Sequence, residues 1–494
     1  MRPAQITYNI PRAEVATPAD LQRIHDMSMR VLNELGIAFY DAEALEILAG
    51  HGARVEGDIA FFDEALVMEY VQKAPAEFTQ QARNPANNII LGGNRSVFAP
   101  VYGPPFVQDK ERGRRQATLE DFRNFVKLAY MSPYLHHSGG TVVEPNDEPV
   151  PTRHLDMVYT HARYSDKAFM GSVTDPANAA DSVAMAEIVF GKESIRETPA
   201  LLSLINVSSP RRYDDRMLGC VKVYAKARQA LLITPFLMAG AMSPASLAGT
   251  MALQNAEALA GIALAQMITP GLPVIYGSFM TNLDLQSGAT VFGSPESQLT
   301  LMTLAQLAAS YKLPFRSGGT FTSSKLPDAQ AGYESVQVML PAVQAQTNFI
   351  LHAAGWLESG LVAGYEKFVI DCEVLGMYHR WARHRLQRRG LRLRRAGRSA
   401  AGRPLFGHAA HHPPLPRRVL PRGDVRLQRL RAVGTQRRGR HVHPRQSQVA
   451  GPAGSLPRTG PGPTHRRRIA GIHAGAEASA WVWKISVKRD SVKT

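Results

Sequence analysis

The run Ala230-Leu-Leu-Ile-Thr-Pro-Phe-Leu237, the long apolar segment 245–268 and the run Pro273-Val-Ile-Tyr-Gly-Ser-Phe279 together decide the fold. The two outer runs are short, rich in β-branched and aromatic residues, and punctuated by Pro or Gly, as buried strands are. The middle segment is too long for a strand, and Gln254, Asn255, Glu257 and Gln266 interrupt it. Those polar groups exclude a membrane span and mark a helix packed on protein. Thr269-Pro270-Gly271 ends it. Strand, helix and strand in direct succession form the unit of a parallel sheet.

The same alternation extends to both sides. Strands are predicted at Val97–Tyr102, His137–Val143, Ala168–Val173, Ala200–Val207, Ala230–Leu237, Pro273–Phe279, Pro314–Thr320 and Asn348–Ala354. Helices are predicted to follow them at 118–131, 152–164, 177–190, 213–228, 245–268, 295–311, 328–346 and 359–376. Eight such units predict an α/β fold, a (β/α)₈ TIM barrel over residues 95–381, with a doubly wound open sheet as the lesser alternative. Ahead of it, Leu21, Ile24, Met27, Val31, Leu32 and Leu35 recur at helical spacing before Gly36. With segments 41–50 and 63–73 this predicts a helical N-terminal subdomain over residues 1–94.

Chemical character changes after Trp381. Residues 381–494 carry 27 Lys and Arg against 3 Asp and Glu, whereas the first 380 residues carry 30 against 38. The net charge of +16 therefore describes neither part. Between Ala382 and Trp483 all lysine is missing, and Arg, Gly, Pro, Ala, His and Leu dominate without helical or strand period. Such a segment buries too little apolar surface to offset its ordering entropy, so a disordered tail over 382–494 is expected. A phosphate-binding arm usually mixes Lys with Arg and interleaves aromatics, which are nearly absent here before Trp481. The vocabulary is better explained by a GC-rich coding region read out of frame, and for that reason His408, His411, His412, His441 and His443 receive no metal reading. Two cysteines, Cys220 and Cys372, supply neither a disulfide framework nor a zinc site. The N-terminus lacks the apolar core of a signal peptide, so a soluble cytoplasmic protein is expected.

In a barrel, chemistry sits where strands end. Those positions hold Tyr102-Gly-Pro-Pro-Phe106, Gly139-Gly140-Thr141, Ser172-Val-Thr-Asp175, Asn206-Val-Ser-Ser209, Tyr276-Gly-Ser-Phe279, Ser317-Gly-Gly-Thr-Phe321 and His352 to Trp356. Few of them are charged. That argues against a carboxylate-rich metal site and against a phosphate pocket, and it favours an organic cation held on aromatic faces. For any single aromatic, packing of a loop is the more ordinary role. Asp328, Gln330 and Glu334 open the helix after Pro327, where Asp328 is placed to cap it and Glu334 to orient a substrate or decorate the surface. His352 is either a ligand or acid/base, or a hydrogen-bonded core histidine.

The blocks Tyr102-Gly-Pro-Pro-Phe…Asp109…Gly113-Arg-Arg-Gln-Ala-Thr-Leu-Glu-Asp121, Ala239-Gly-Ala-Met-Ser-Pro-Ala-Ser-Leu-Ala-Gly249, Asn255-Ala-Glu-Ala-Leu-Ala-Gly261, Gly293-Ser-Pro-Glu296 and Asp328-Ala-Gln-Ala-Gly-Tyr-Glu334 resemble the trimethylamine methyltransferase family. The resemblance runs from about residue 18 to Trp381 and stops at the break, which independently supports a change of frame there. It implies a barrel that moves a methyl group from a methylamine or betaine to the Co(I) of a corrinoid (cobalamin) on a separate protein. Founding members carry pyrrolysine; none is written here, so the chain is similar to the branch without it, which implies a glycine-betaine-like quaternary amine. On that reading Tyr102, Tyr276, Phe279 and Phe321 are expected to cage the cation with Gln330 beside it. Glu334 and His352 are then the expected catalytic pair. No metal is expected on the chain itself, and a homo-oligomer is expected, without membrane or nucleic-acid partners. The alternatives are an inactive remnant of such an enzyme and, less favoured, a nucleic-acid-binding protein acting through the Arg-rich tail. Resequencing the locus is expected to restore a normal frame near codon 382; an intact gene in the present frame would overturn that reading.

Overall fold

The computed structural model describes residues 5–383 apart from Leu285, Ser287 and Ala289. The tail, with the expectations made for it, lies outside the described residues.

Barrel strands are β1 (Arg95–Phe98), β2 (a single bridge at His137), β3 (Phe169–Met170), β4 (Leu201–Val207), β5 (Ala230–Ala239), β6 (Val274–Gly277), β7 (Phe315–Gly318) and β8 (Phe349–Leu351). From β3 to β8 neighbours pair in parallel and in chain order, and β8 returns to β1 with Phe349 opposite Val97. His136 N–H donates to Phe98 O at 3.0 Å and Ser138 N–H to Ala168 O at 2.8 Å, so the second position closes the ring. The expected strand His137–Val143 shrinks to that bridge because the chain turns at Gly139, whose φ of 97° leaves the extended region. Helices α1 (Leu119–Met131), α2 (Arg153–Tyr164), α3 (Pro176–Phe190), α4 (Asp215–Lys226), α5 (Leu247–Ile268), α6 (Pro295–Ser310), α7 (Ala329–Gln344) and α8 (Tyr365–Ala382) follow in turn. Among the described residues no helix is long and apolar enough to cross a membrane.

Side chains alternate across each strand. Val97, Met170, Leu202, Leu204, Leu232, Ile275, Phe349 and Leu351 gather in one buried cluster inside the ring. Phe98, Phe169, Ile205, Ile233, Tyr276, Phe315 and Ile350 join the larger cluster under the helices. This in-and-out rule fixes which residues reach the mouth.

The first N-terminal helix, Pro18–Arg30, starts in a capping box between Thr17 and Asp20. The single helix predicted to Leu35 changes pitch at Val31, and residues Val31–Leu35 form a π-turn closed by Gly36 N–H on Val31 O. Segments Ala42–Gly50 and Glu64–Val71 are helices. Short strands Ile37–Phe39, Arg54–Glu56 and Ile59–Phe61 form a small sheet with Arg212–Tyr213, and Glu77–Gln80 pairs with Ile89–Gly92. A further sheet at the mouth joins Trp356–Leu357, Val362–Gly364, Phe106–Asp109 and Gly113–Gln116. The N-terminus is stitched to the far end of the barrel, since Asn9 N–H donates to Ala382 O at 3.1 Å.

Helix α5 carries the polar groups that its sequence made conspicuous. Asn255 Nδ2 donates to Ser28 Oγ at 2.9 Å and Gln254 Nε2 to Gly277 O at 2.9 Å. Glu257 is fully buried and accepts from Ser209 Oγ at 2.5 Å and Arg211 N–H at 2.6 Å, fastening the loop after β4. Burial pushes its carboxyl up from 4.5 to about 7, against the pull of those two donors. The folded chain then binds the proton more tightly than the unfolded one, so stability is full below 4.5 and falls as pH rises toward 7. Glu257→Gln is expected to remove most of that fall, on the order of 3 kcal/mol, measurable by urea unfolding at pH 5 and pH 8.

Candidate active site

The run Phe315-Arg-Ser-Gly318 on β7 follows the alternation. Phe315 points out against Tyr276 (ring centroids 6.1 Å apart), and Arg316 therefore points in. Arg316 is only 1% exposed. Its Nη1 donates to Ser278 O at 3.1 Å, its Nε has no hydrogen-bond partner, and no carboxylate pairs with it among the described residues. Burial draws its pKa down to about 9, so it stays cationic at neutral pH. An uncompensated charge in such a place is costly unless an anion joins it.

One aromatic ring faces this cation, and a cluster of rings continues from it. Its guanidinium carbon lies 5.5 Å from the centre of Phe279. Phe279 stands 5.2 Å from Phe321, which stands 4.6 Å from Trp356 and 5.1 Å from Phe292. His352 lies 4.6 Å from Trp356 and 5.3 Å from Phe321, with Tyr102 at its outer side, 6.5 Å away. Trp356 is buried, and its Nε1–H lacks a partner. Gly318 makes this packing possible, because a Cβ there would sit 1.8 Å from the Phe321 ring.

His352 is held at the end of β8 in a left-handed conformation, φ 59°, a strained state that a side chain rarely adopts without reason. Its Nδ1 accepts the Tyr102 N–H at 3.2 Å, which leaves the ring proton on Nε2. Burial, followed by the nearby Arg316, holds its pKa well below 6.5, so the ring is neutral at pH 7. Burial also raises the Tyr102 hydroxyl to about 12, against the opposing bond to Thr141.

Of the residues expected from sequence, Phe279, Phe321, His352 and Tyr102 come together. Tyr276 does not join them: the alternation sends it outward, where its hydroxyl donates to Asn255 Oδ1 at 3.0 Å. Glu334 and Gln330 lie behind the mouth. Glu334 Oε2 accepts from Thr322 Oγ1 (2.6 Å) and Ser323 N–H (2.8 Å) and so holds the loop that carries Phe321, while its Oε1 accepts from Gln330 Nε2 (2.9 Å) on the same helix, which orients the carboxylate. Asp328 caps α7, as expected. Arg316, Phe292 and Trp356 were not singled out. The signal for Arg316 was present, as a lone charge at an inward position of an apolar strand; Phe292 follows a short strand with no such mark. Among the described residues no His, Cys, Asp and Glu cluster is arranged to hold a metal ion.

A barrel that gathers a buried cation and ring faces at the ends of its strands has the architecture of a (β/α)₈ enzyme. The chain belongs to the trimethylamine methyltransferase family, whose model matches residues 2–389, and it is a methyltransferase. It is 48% identical over 369 residues to the glycine betaine methyltransferase of Desulfitobacterium hafniense (strain Y51), covering 74% of this chain and 77% of that one. The proline betaine:corrinoid methyltransferase of Eubacterium limosum is 33% identical over 72% of this chain and 75% of its own. A trimethylamine methyltransferase of Desulfitobacterium hafniense (strain DSM 10664 / DCB-2) is 30% identical over 72% and 73%.

Gly318→Ala is expected to force Phe321 off its position, costing about 1–3 kcal/mol of stability as overpacking does. Loss of ligand affinity should accompany it, read by titrating glycine betaine against the fluorescence of Trp356 in a chain whose Trp381, Trp481 and Trp483 are replaced by Phe. Tyr276→Phe, which removes only an outward hydrogen bond, is expected to cost about 1 kcal/mol of stability and to leave that titration unchanged.

Proposed function

We propose that this chain takes a methyl group from a carboxylated quaternary ammonium, a glycine-betaine-like molecule, and delivers it to the Co(I) of a corrinoid carried by a separate protein. One observation carries the reading: Arg316 is a buried cation with which no carboxylate among the described residues pairs, and it faces Phe279 at the edge of an aromatic cluster. The relatives named for glycine betaine and proline betaine support it, since both substrates unite a carboxylate with a quaternary nitrogen.

The substrate carboxylate pairs with Arg316, within reach of the Trp356 and His352 N–H groups that have room to donate. The ammonium then lies on the faces of Phe279, Phe292, Phe321 and Trp356, each contact contributing roughly 0.5–2 kcal/mol. The bond that breaks is N–CH₃; its electron pair stays on nitrogen, which departs as a neutral tertiary amine, and the methyl group passes to cobalt. The corrinoid supplies the nucleophile. No proton moves, so a neutral His352 serves as a fixed donor and no general acid is required. Glu334 and Gln330 act at one remove, by holding the Thr322-Ser323 loop. The remaining work is alignment and exclusion of water. We further propose a cytoplasmic enzyme that acts as a homo-oligomer.

The carboxylate sets the specificity. A substrate without one leaves Arg316 desolvated and unpaired, a defect that discriminates by roughly 10²–10⁴-fold. Methyl transfer to a corrinoid protein should therefore be far faster from glycine betaine than from tetramethylammonium. Arg316→Met should abolish that preference. Equal rates from the two substrates in the unsubstituted enzyme would refute the proposal.

A further inference from the structure

Helix α8 carries an ion pair that the chemistry above does not use. Lys367 and Asp371 are each 1% exposed, and Lys367 Nζ lies 2.6 Å from both Asp371 oxygens. Buried pairs of this kind seldom exceed a well-packed apolar pair in stability, so stability alone is a poor account of it. Its other contacts are more telling. Asp371 Oδ2 also accepts the Gly355 N–H at 2.8 Å and faces the Thr320 hydroxyl at 3.0 Å. Thr320 immediately precedes Phe321, and Gly355 immediately precedes Trp356. Thr320 N–H donates in turn to His352 O at 2.9 Å.

A single carboxylate oxygen therefore joins the loop after β7 to the loop after β8. Phe321–Trp356 and His352–Trp356 are the ring pairs in closest contact at the mouth, each 4.6 Å between centroids. We propose that Asp371, kept ionised and oriented by Lys367, is a positioning residue that sets the spacing of Phe321, Trp356 and His352, and through them the alignment of the methyl donor. The proposal rests on the betaine reading for its catalytic consequence, but not for its geometric one. Lys367 neutralises the carboxylate and shares Oδ2 with the two loop donors, which leaves that oxygen accepting from three directions. An apolar pair would pack equally well and fix neither loop.

Two double variants separate geometry from stability. Lys367→Met with Asp371→Asn removes both charges but keeps an acceptor oxygen for Gly355 and Thr320. Lys367→Met with Asp371→Leu removes the acceptor as well. The first should transfer methyl from glycine betaine much as the unsubstituted enzyme does, and the second should lose about 100-fold in kcat, as misplacement of a reacting group by an ångström does. The ligand-free reading uses the full chain carrying Trp381→Phe, Trp481→Phe and Trp483→Phe, in which Trp356 is the remaining tryptophan. Acrylamide should quench Trp356 more readily in the Met/Leu variant and no more readily in the Met/Asn variant. If the Met/Leu variant does not fold, Thr320→Val, which deletes one of the three donors, takes its place. Unchanged quenching and unchanged kcat in the variant lacking the acceptor would overturn the proposal, as would equal losses in both doubles. If the unsubstituted chain does not use betaine, the functional reading fails, while the quenching comparison still decides the positioning role.

Discussion

A guanidinium buried beside an aromatic cluster, with no acid among the described residues to answer it, is the constraint around which the mouth of this barrel is arranged. Water would solvate Arg316 far better than Phe279 does, so the folded chain carries a localised electrostatic debt. The rest of the mouth follows from it. A second cation nearby is disfavoured, which helps keep His352 neutral and lets its ring lie among hydrocarbon. The rings keep the local dielectric low, and that strengthens any anion that reaches the guanidinium. A zwitterion satisfies both demands together, since its negative end meets the arginine and its bulky positive end meets the ring faces.

That arrangement depends on a backbone rule with no chemistry in it. Parallel strands alternate their side chains, and a closed ring makes one side an interior. Arg316 falls inside because Phe315 falls outside; Tyr276 falls outside because Ile275 falls inside. Moving β7 by one residue would exchange these roles and place Phe315 or Ser317 where the cation stands. The interior apolar cluster beneath the mouth, from Val97 round to Leu351, is what makes such a slip prohibitive.

How much of this was legible beforehand follows from the same physics. All eight strand–helix units could be read because each strand is an apolar run and each helix a longer periodic one, although the eighth helix, expected at 359–376, runs over Tyr365–Ala382 because a turn at Glu358–Gly360 and the strand Val362–Gly364 come first. The second strand was overread: His137 onward is apolar enough, but Gly139 turns the chain away from the sheet. Strands such as Ile37–Phe39 and Ile59–Phe61 were missed because three residues carry no period. In the mouth, aromatic content pointed to Phe279 and Phe321, which the structure brings together, whereas Tyr276 was chosen by residue type and strand parity turns it outward. Arg316 escaped because composition counts a charge without saying that nothing offsets it; only burial reveals that. Trp356 stood in a segment already marked as mouth, yet its unpartnered N–H is visible only in three dimensions.

The hydrogen bond from Asn9 to Ala382 brings the start of the folded body to the end of its last helix. Head and tail of the enzyme proper are thus neighbours in space, so the body is nearly a loop of chain already closed upon itself. A short linker joining those ends, with fresh termini opened in an exposed turn away from the mouth such as Gly191, would rewire the order of the gene and leave the order of the barrel intact.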